Sequence, residues 1–280
     1  MFYLLLSILC SSLVQVIMRL STNRVKNNLS MLTSCYLVCS LIAAYYTGFG
    51  NLICAGTAGF GRSVGLGFIQ GMMYLGAFIL LQINVKHNGV VLSASFMKLG
   101  LLVPMGVSIL FFGEQPGIFH VIGFLVSLIA IVLINYEPGH GANASFKAGL
   151  ILLLVVGGMG DVMAKIYQEV GNPDLSPQFL FYTFCGALVV CLGMMLWKKE
   201  RPGLVELFFG AAIAIPNYFA SRFMLRALAT LDAVIVYPTS NVATIFLATI
   251  AGICLFHERL KPRQWVAIGA IVVALALLNL

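Results

Sequence analysis

Charge is what this chain has least of: 9% of its 280 residues are Asp, Glu, Lys or Arg, against 61% hydrophobic residues. Soluble globular domains carry roughly a quarter charged residues, so the composition excludes that class and points to an integral membrane protein. Polar stretches are equally scarce. The longest connection, Tyr136 to Lys147, is about a dozen residues and leaves no room for a soluble domain. The net charge of +7 comes from basic residues that mostly flank apolar runs. There they orient helices against the membrane, and no nucleic-acid partner is expected. The seven cysteines include no Cys-x-x-Cys pair and lie mostly inside apolar runs, where a thiol behaves as a small hydrophobe. Neither a disulfide framework nor a metal site is indicated. The four histidines, His87, His120, His140 and His257, sit near the ends of apolar runs or in connections. No Ser-His-Asp arrangement, P-loop or paired-aspartate motif accompanies them, so an enzyme is not expected and no cofactor is implied. The first apolar run lacks a basic leader and a cleavage site opening into a polar domain, and it is expected to be a retained span.

What is present is a series of ten apolar segments, at about 2–20, 30–50, 64–85, 89–112, 117–135, 148–168, 177–197, 207–228, 233–256 and 264–280. Most are long enough to cross about 30 Å of hydrocarbon at about 1.5 Å per residue. The glycines of Gly56 to Arg62 predict a loop. Pro104, Pro216 and Pro238 lie inside spans, where a missing donor is tolerated if neighbouring helices satisfy the freed backbone. Gly67 with Gly71, and Ala248 with Gly252, have the four-residue spacing that lets helices approach closely. Pro262 stands where the last helix would begin, a position that needs no backbone donor.

The chain also repeats itself. A shift of 144 residues lays Asn88-Gly-Val-Val on Asp232-Ala-Val-Ile, Leu110-Phe-Phe-Gly-Glu114 on Cys254-Leu-Phe-His-Glu258, Asn135 on Asn279, and Tyr74 on Tyr218. With two more residues, Gln15 falls on Asp161 and Arg19 on Lys165. Each half, 1–140 and 147–280, therefore holds five spans within a single membrane domain. An odd number of spans per repeat forces the second to cross in the opposite sense, the inverted-repeat architecture of secondary transporters. The expected fold is an all-α integral membrane protein of ten transmembrane helices in two inverted five-helix repeats.

The Gly113-Glu114 turn, the His257-Glu258-Arg-Leu turn, Pro238 just inside an Ala-rich ninth span and the Gly269 helix together resemble the EamA-like permeases of the drug/metabolite transporter superfamily. The resemblance covers nearly the whole chain. It departs from the family at Ser11-Ser12, where many relatives carry Trp-Gly, and at Gln115-Pro-Gly after Glu114, where a basic sequence is usual. It implies a plasma-membrane carrier of small molecules. It also implies that Gln15, Gln70, Tyr74, Lys98, Asp161, Asn217, Arg222, Tyr237 and Asn241 converge on a central pathway.

Orientation can be read from charge. Arg19, Arg24, Lys26, Lys86, Lys147, Lys198, Lys199, Arg201, Arg259, Lys261 and Arg263 follow odd-numbered spans, whereas Arg62, Lys165 and Arg226 lie at the opposite ends. That bias places both termini outside. The resemblance implies the reverse, with both termini in the cytoplasm.

Lys98 lies well inside the fourth span, and an ammonium there costs at least about 2.5 kcal/mol unless it meets a partner or a wet cavity. Asp161, near the middle of the sixth span, can serve as a proton carrier or as a counter-charge to Lys98 or to Lys165 one turn on. Tyr218 and Arg222 share a face of the eighth span with Asn217 beside them, and Arg226 is expected to snorkel to the surface. Gln70 lies one turn before Tyr74, the repeat mate of Tyr218; these tyrosines read equally as cavity lining or as packing. Tyr237 and Asn241 lie one turn apart around Pro238. Glu114 and Glu258 read as turn charges or as helix N-terminal stabilisers.

These residues suggest an alternating-access exporter of a small organic metabolite, with Lys98 and Arg222 against Asp161 leaning towards an amino acid or other organic acid. Two other readings stay open: export of organic cations, amines or drugs by Asp161 and the tyrosines, and a non-transporting scaffold or lipid-associated subunit. The expected partners are a small-molecule substrate and membrane lipids, with a homodimer compatible with the sequence.

Overall fold

The computed structural model describes residues 1–22, 24–54, 56–135, 147–256 and 262–279. Their regular structure is helical: α1 (Phe2–Ser21), α2 (Asn28–Thr47), α3 (Phe60–Asn88), α4 (Val90–Leu99), α5 (Leu102–Phe112), α6 (Ile118–Asn135), α7 (Lys147–Val170), α8 (Ser176–Trp197), α9 (Leu204–Leu228), α10 (Ala233–Phe256) and α11 (Pro262–Leu278). Single 3-10 turns cover Phe49–Asn51 and Pro173–Leu175. Taking α4 and α5 as one interrupted span, eight pieces are long and apolar enough to cross a membrane, and α6 and α11 are shorter apolar helices. The chain is a ten-span, all-helical, multi-pass membrane protein. Leu5, Leu9, Leu13, Leu110 and Phe111 stay exposed to whatever surrounds the helices, as expected where lipid is the solvent.

The sequence-predicted spans match the helices, with two differences. α3 begins at Phe60 and takes in Arg62, so the glycine-rich loop is shorter than expected. The fourth span is broken between Leu99 and Leu102. Pro104 explains the break, because its ring clashes with the carbonyl four residues back, that of Gly100, and it has no N–H to offer that carbonyl. The Gly100 oxygen is taken instead by the Val103 amide at 3.0 Å. In α10, Pro238 is accommodated without interrupting the helix. Pro262 opens α11 as expected.

Two compact units are present. The first comprises Met1–Leu75 and Met163–Ala229, the second Gly76–Val162 and Thr230–Leu280. In the first, α2 packs against α8 and α9, and α1 against α9. Lipid supplies no hydrophobic drive between helices, so close packing and interhelical hydrogen bonds hold them together. Ser7 donates to the Ala220 carbonyl at 2.9 Å, Ser34 to the Leu207 carbonyl at 3.1 Å, and Thr183 to Gln70 Oε1 at 3.1 Å. Gly67 and Gly71 let α3 lie directly on α8: a Cβ on them would come within 2.5 Å of the Phe179 carbonyl oxygen and 2.1 Å of that of Thr183. Asn27 caps α2 by accepting from the Leu29 and Ser30 amides. It also donates to Glu200 at 2.6 Å, tying the entry of α2 to the turn before α9.

In the second unit α6 packs on α11, with α10 against α5, α6 and α11. Leu101, Met105, Phe124, Ile131 and Val234 form one buried cluster, and Ala130, Val242 and Ile271 another. Glu114 is neither free nor loosely solvated. Its two carboxylate oxygens accept the first amides of α10, from Ala233 and Val234, each at 3.0 Å. This is the helix-stabilising role, exerted on a helix 119 residues further along. Its repeat mate Glu258, with His257, Arg259 and Lys261, lies outside the described residues, as does His140.

Candidate functional site

The break in the fourth span positions Lys98. It occupies the last turn of α4, where the carbonyls of the helix end carry partial negative charge that favours an ammonium. The helix that meets the break is α7. Gly158 has no side chain because none fits: a Cβ there would lie 2.2 Å from the Gly100 carbonyl oxygen and 2.6 Å from Val103 Cβ. A Cβ on its neighbour Gly157 would come no closer than 3.9 Å to anything, the nearest atom being the Met97 carbonyl oxygen. Asp161 follows Gly158 by three residues and so projects from the same face of α7. Lys98 and Asp161 interact electrostatically, and both are half-buried.

α10 completes this constellation. The buried Tyr237 donates its hydroxyl to the Asp161 backbone carbonyl at 2.7 Å, and Asn241 donates to the Tyr237 carbonyl at 3.1 Å. Lys98, Asp161, Tyr237 and Asn241 therefore form one polar group within the second unit. Lys165 has a carboxylate of its own. It lies buried in the first unit and pairs with Glu169 one turn on. Glu169 was passed over in the sequence because it falls at the edge of its span, although its i,i+4 spacing from Lys165 was visible.

The remaining expected residues belong to the first unit. Gln70 donates to the Tyr74 hydroxyl at 3.0 Å. Asn217 directs its amide at the sulfurs of Cys35 and Cys39, at 3.9 and 3.8 Å. Tyr218 is buried and stacked on Tyr46 with ring centroids 5.6 Å apart. The Arg222 guanidinium lies 4.4 Å from the Tyr46 ring centroid. Tyr46 escaped the sequence reading, since Tyr45-Tyr46 at the end of a span reads as an interfacial pair. Gln15 is half-buried on α1. Arg226 is exposed, over the Tyr3 ring at 5.3 Å.

A discontinuous span that carries a lysine opposite an aspartate is the kind of intramembrane polar centre that marks solute or ion passage. A model of the EamA-like transporter family matches residues 147–280. The second half of this chain is EamA-like. That match fits a ten-helix membrane protein and suggests a transporter of the drug/metabolite type, and members of the family are transporters rather than enzymes. An uncharacterized protein of Haemophilus influenzae is 25% identical over 201 residues, covering 71% of this chain and 69% of that protein. A crystal structure superposes with a TM-score of 0.74 at 16% identity, covering 99% of this chain and 98% of that one. This likeness concerns the fold alone. The EamA-like half contributes Asp161, Tyr237 and Asn241 to the polar centre, and Lys98 comes from the other half of the sequence.

Proposed function

We propose that the chain is a secondary transporter working by alternating access, exporting a small organic metabolite with an anionic group, such as an amino acid or organic acid, across the plasma membrane. The observation that supports this reading is the Lys98–Asp161 pair at the broken fourth span. Lys98, held at the end of α4, offers an ammonium to a carboxylate. Asp161, whose backbone is held by Tyr237, is available to a substrate amine or to a coupling proton. Substrate contacts are assigned to Lys98, Tyr237 and Asn241 in the second unit and to Gln15, Gln70, Tyr74, Asn217, Tyr218 and Arg222 in the first. The five-span repeats, 1–140 and 147–280, supply the two inverted elements that alternating access requires.

The test is counterflow into proteoliposomes loaded with unlabelled amino acids, using labelled amino acids and labelled organic amines in parallel. Amino-acid accumulation is expected with the native protein and at least a tenfold lower rate with Lys98→Ala. Accumulation of amines alone would replace this reading with cation export. Asp161→Asn is expected to remove the dependence on a proton gradient; transport that kept that dependence would remove the proton-carrier role.

A further inference from the structure

A cavity of about 350 Å³ opens in the first unit where α7, α8 and α9 approach the Pro173–Leu175 turn. Its polar lining includes Arg222, Arg226, Asp174 and Gln168, and Leu180 and Leu225 are among its apolar residues. The two arginines are four residues apart on one face of α9, where like charges repel. Their position in the last two turns of that helix offsets part of the repulsion through the partial negative charge of the helix end.

How the arginines are held matters more. Arg222 rests 4.4 Å from the Tyr46 centroid, and Tyr46 is itself stacked on Tyr218. Arg226 lies 5.3 Å from the Tyr3 centroid, and Tyr3 stacks on Phe223 at 6.3 Å. An aromatic face fixes a guanidinium plane while leaving most of its edge donors unused, which is the geometry that receives an oxyanion in two-pronged fashion. Gln168 is fixed as well, because its amide donates to the Leu225 carbonyl at 2.8 Å. Asp174 adds one exposed carboxylate to the same cavity. The lining thus holds two positive charges and one negative charge, in a volume near the small end of ligand pockets.

We infer that this cavity is a binding site for a small zwitterion, with its oxyanion on Arg222 and Arg226 and its amine towards Asp174. An α-amino acid has this chemistry, and so does the headgroup of phosphatidylethanolamine. Arg222 and Tyr218 of this cavity are among the substrate contacts proposed above, and the inference makes no use of Lys98 or Asp161.

The experiment measures the thermal unfolding midpoint of the purified full chain. L-leucine and phosphoethanolamine are titrated in detergent, and phosphatidylethanolamine is compared with phosphatidylcholine in nanodiscs. A rise in midpoint with either soluble zwitterion, and an apparent Kd at least tenfold weaker in Arg222→Gln/Arg226→Gln, would identify a solute site. The same loss seen only with phosphatidylethanolamine would identify a lipid site. In both cases Asp174→Asn is expected to weaken binding about twofold to fivefold, the range of a single exposed charge contact. Arg226→Gln alone, at an exposed position, guards against misfolding and is expected to weaken binding on its own. No response to any probe, or an equal response in the native and double-arginine proteins, overturns the inference.

Discussion

The backbone of Gly158 touches that of Gly100: a Cβ on Gly158 would stand 2.2 Å from the Gly100 carbonyl oxygen, well inside any permitted contact. One glycine permits the interruption of α4–α5 to lie against α7, and Asp161 follows three residues later. Gly158→Ala must therefore move backbone, since the obstruction is not a flexible side-chain end. A loss of about 1–3 kcal/mol, the usual range for overpacking, is expected. Gly157→Ala, whose added methyl would be 3.9 Å from its nearest neighbour, is expected to be neutral or slightly stabilising in the helix. Thermal inactivation followed by size-exclusion chromatography compares the two; equal midpoints would show that α7 does not rest on the break.

Glu114 gives a prediction that separates cap from charge. Its carboxylate accepts both the Ala233 and Val234 amides, so Glu114→Ala leaves two helix donors without a partner. A loss of about 0.5–2 kcal/mol is expected. Glu114→Gln keeps one acceptor oxygen and removes the charge that favours the helix N-terminus, so it should fall between Ala and the native protein. A Gln variant as unstable as Ala would mean that the ionised carboxylate is the whole of the interaction.

The Lys98–Asp161 pair predicts non-additivity. Removing one member leaves the other charge uncompensated, whereas removing both removes the burden as well. Lys98→Met and Asp161→Asn are each expected to lower stability, and the double variant by clearly less than their sum. The cycle is read from thermal midpoints of the four proteins in one detergent. Simple additivity would show that the two charges are supported independently, each by its own surroundings.

Much of this was legible in the sequence because membrane spans announce themselves by composition. The ten apolar segments, the close approach at Gly67 and Gly71, the start of α11 at Pro262 and the isolation of Lys98 all follow from local rules. The break at Gly100 did not, although Pro104 was in view, because Pro216 and Pro238 also lie inside spans and leave their helices continuous. Partners distant in sequence were also out of reach. Nothing local tells Glu114 that it caps a helix beginning at Ala233, or Arg222 that its plane rests on Tyr46. Nor did the sequence single out Glu169 as the partner of Lys165.

Orientation in the membrane can be decided independently of every site residue. Eleven basic residues follow odd-numbered spans and three lie at the opposite ends, a bias that places both termini outside, whereas the family resemblance implies both inside. A single cysteine appended after Leu280, in a chain whose exposed Cys254 is replaced by Ser, reports which argument prevails. On the charge argument, a membrane-impermeant maleimide applied to intact cells labels the appended cysteine as fully as it does after lysis. Protection in intact cells, lost on lysis, would place the termini in the cytoplasm. The basic clusters at Arg24–Lys26 and Lys198–Arg201 would then face outwards, against the rule that ordinarily sets topology, and reversing their charge should be tolerated without inverting the protein.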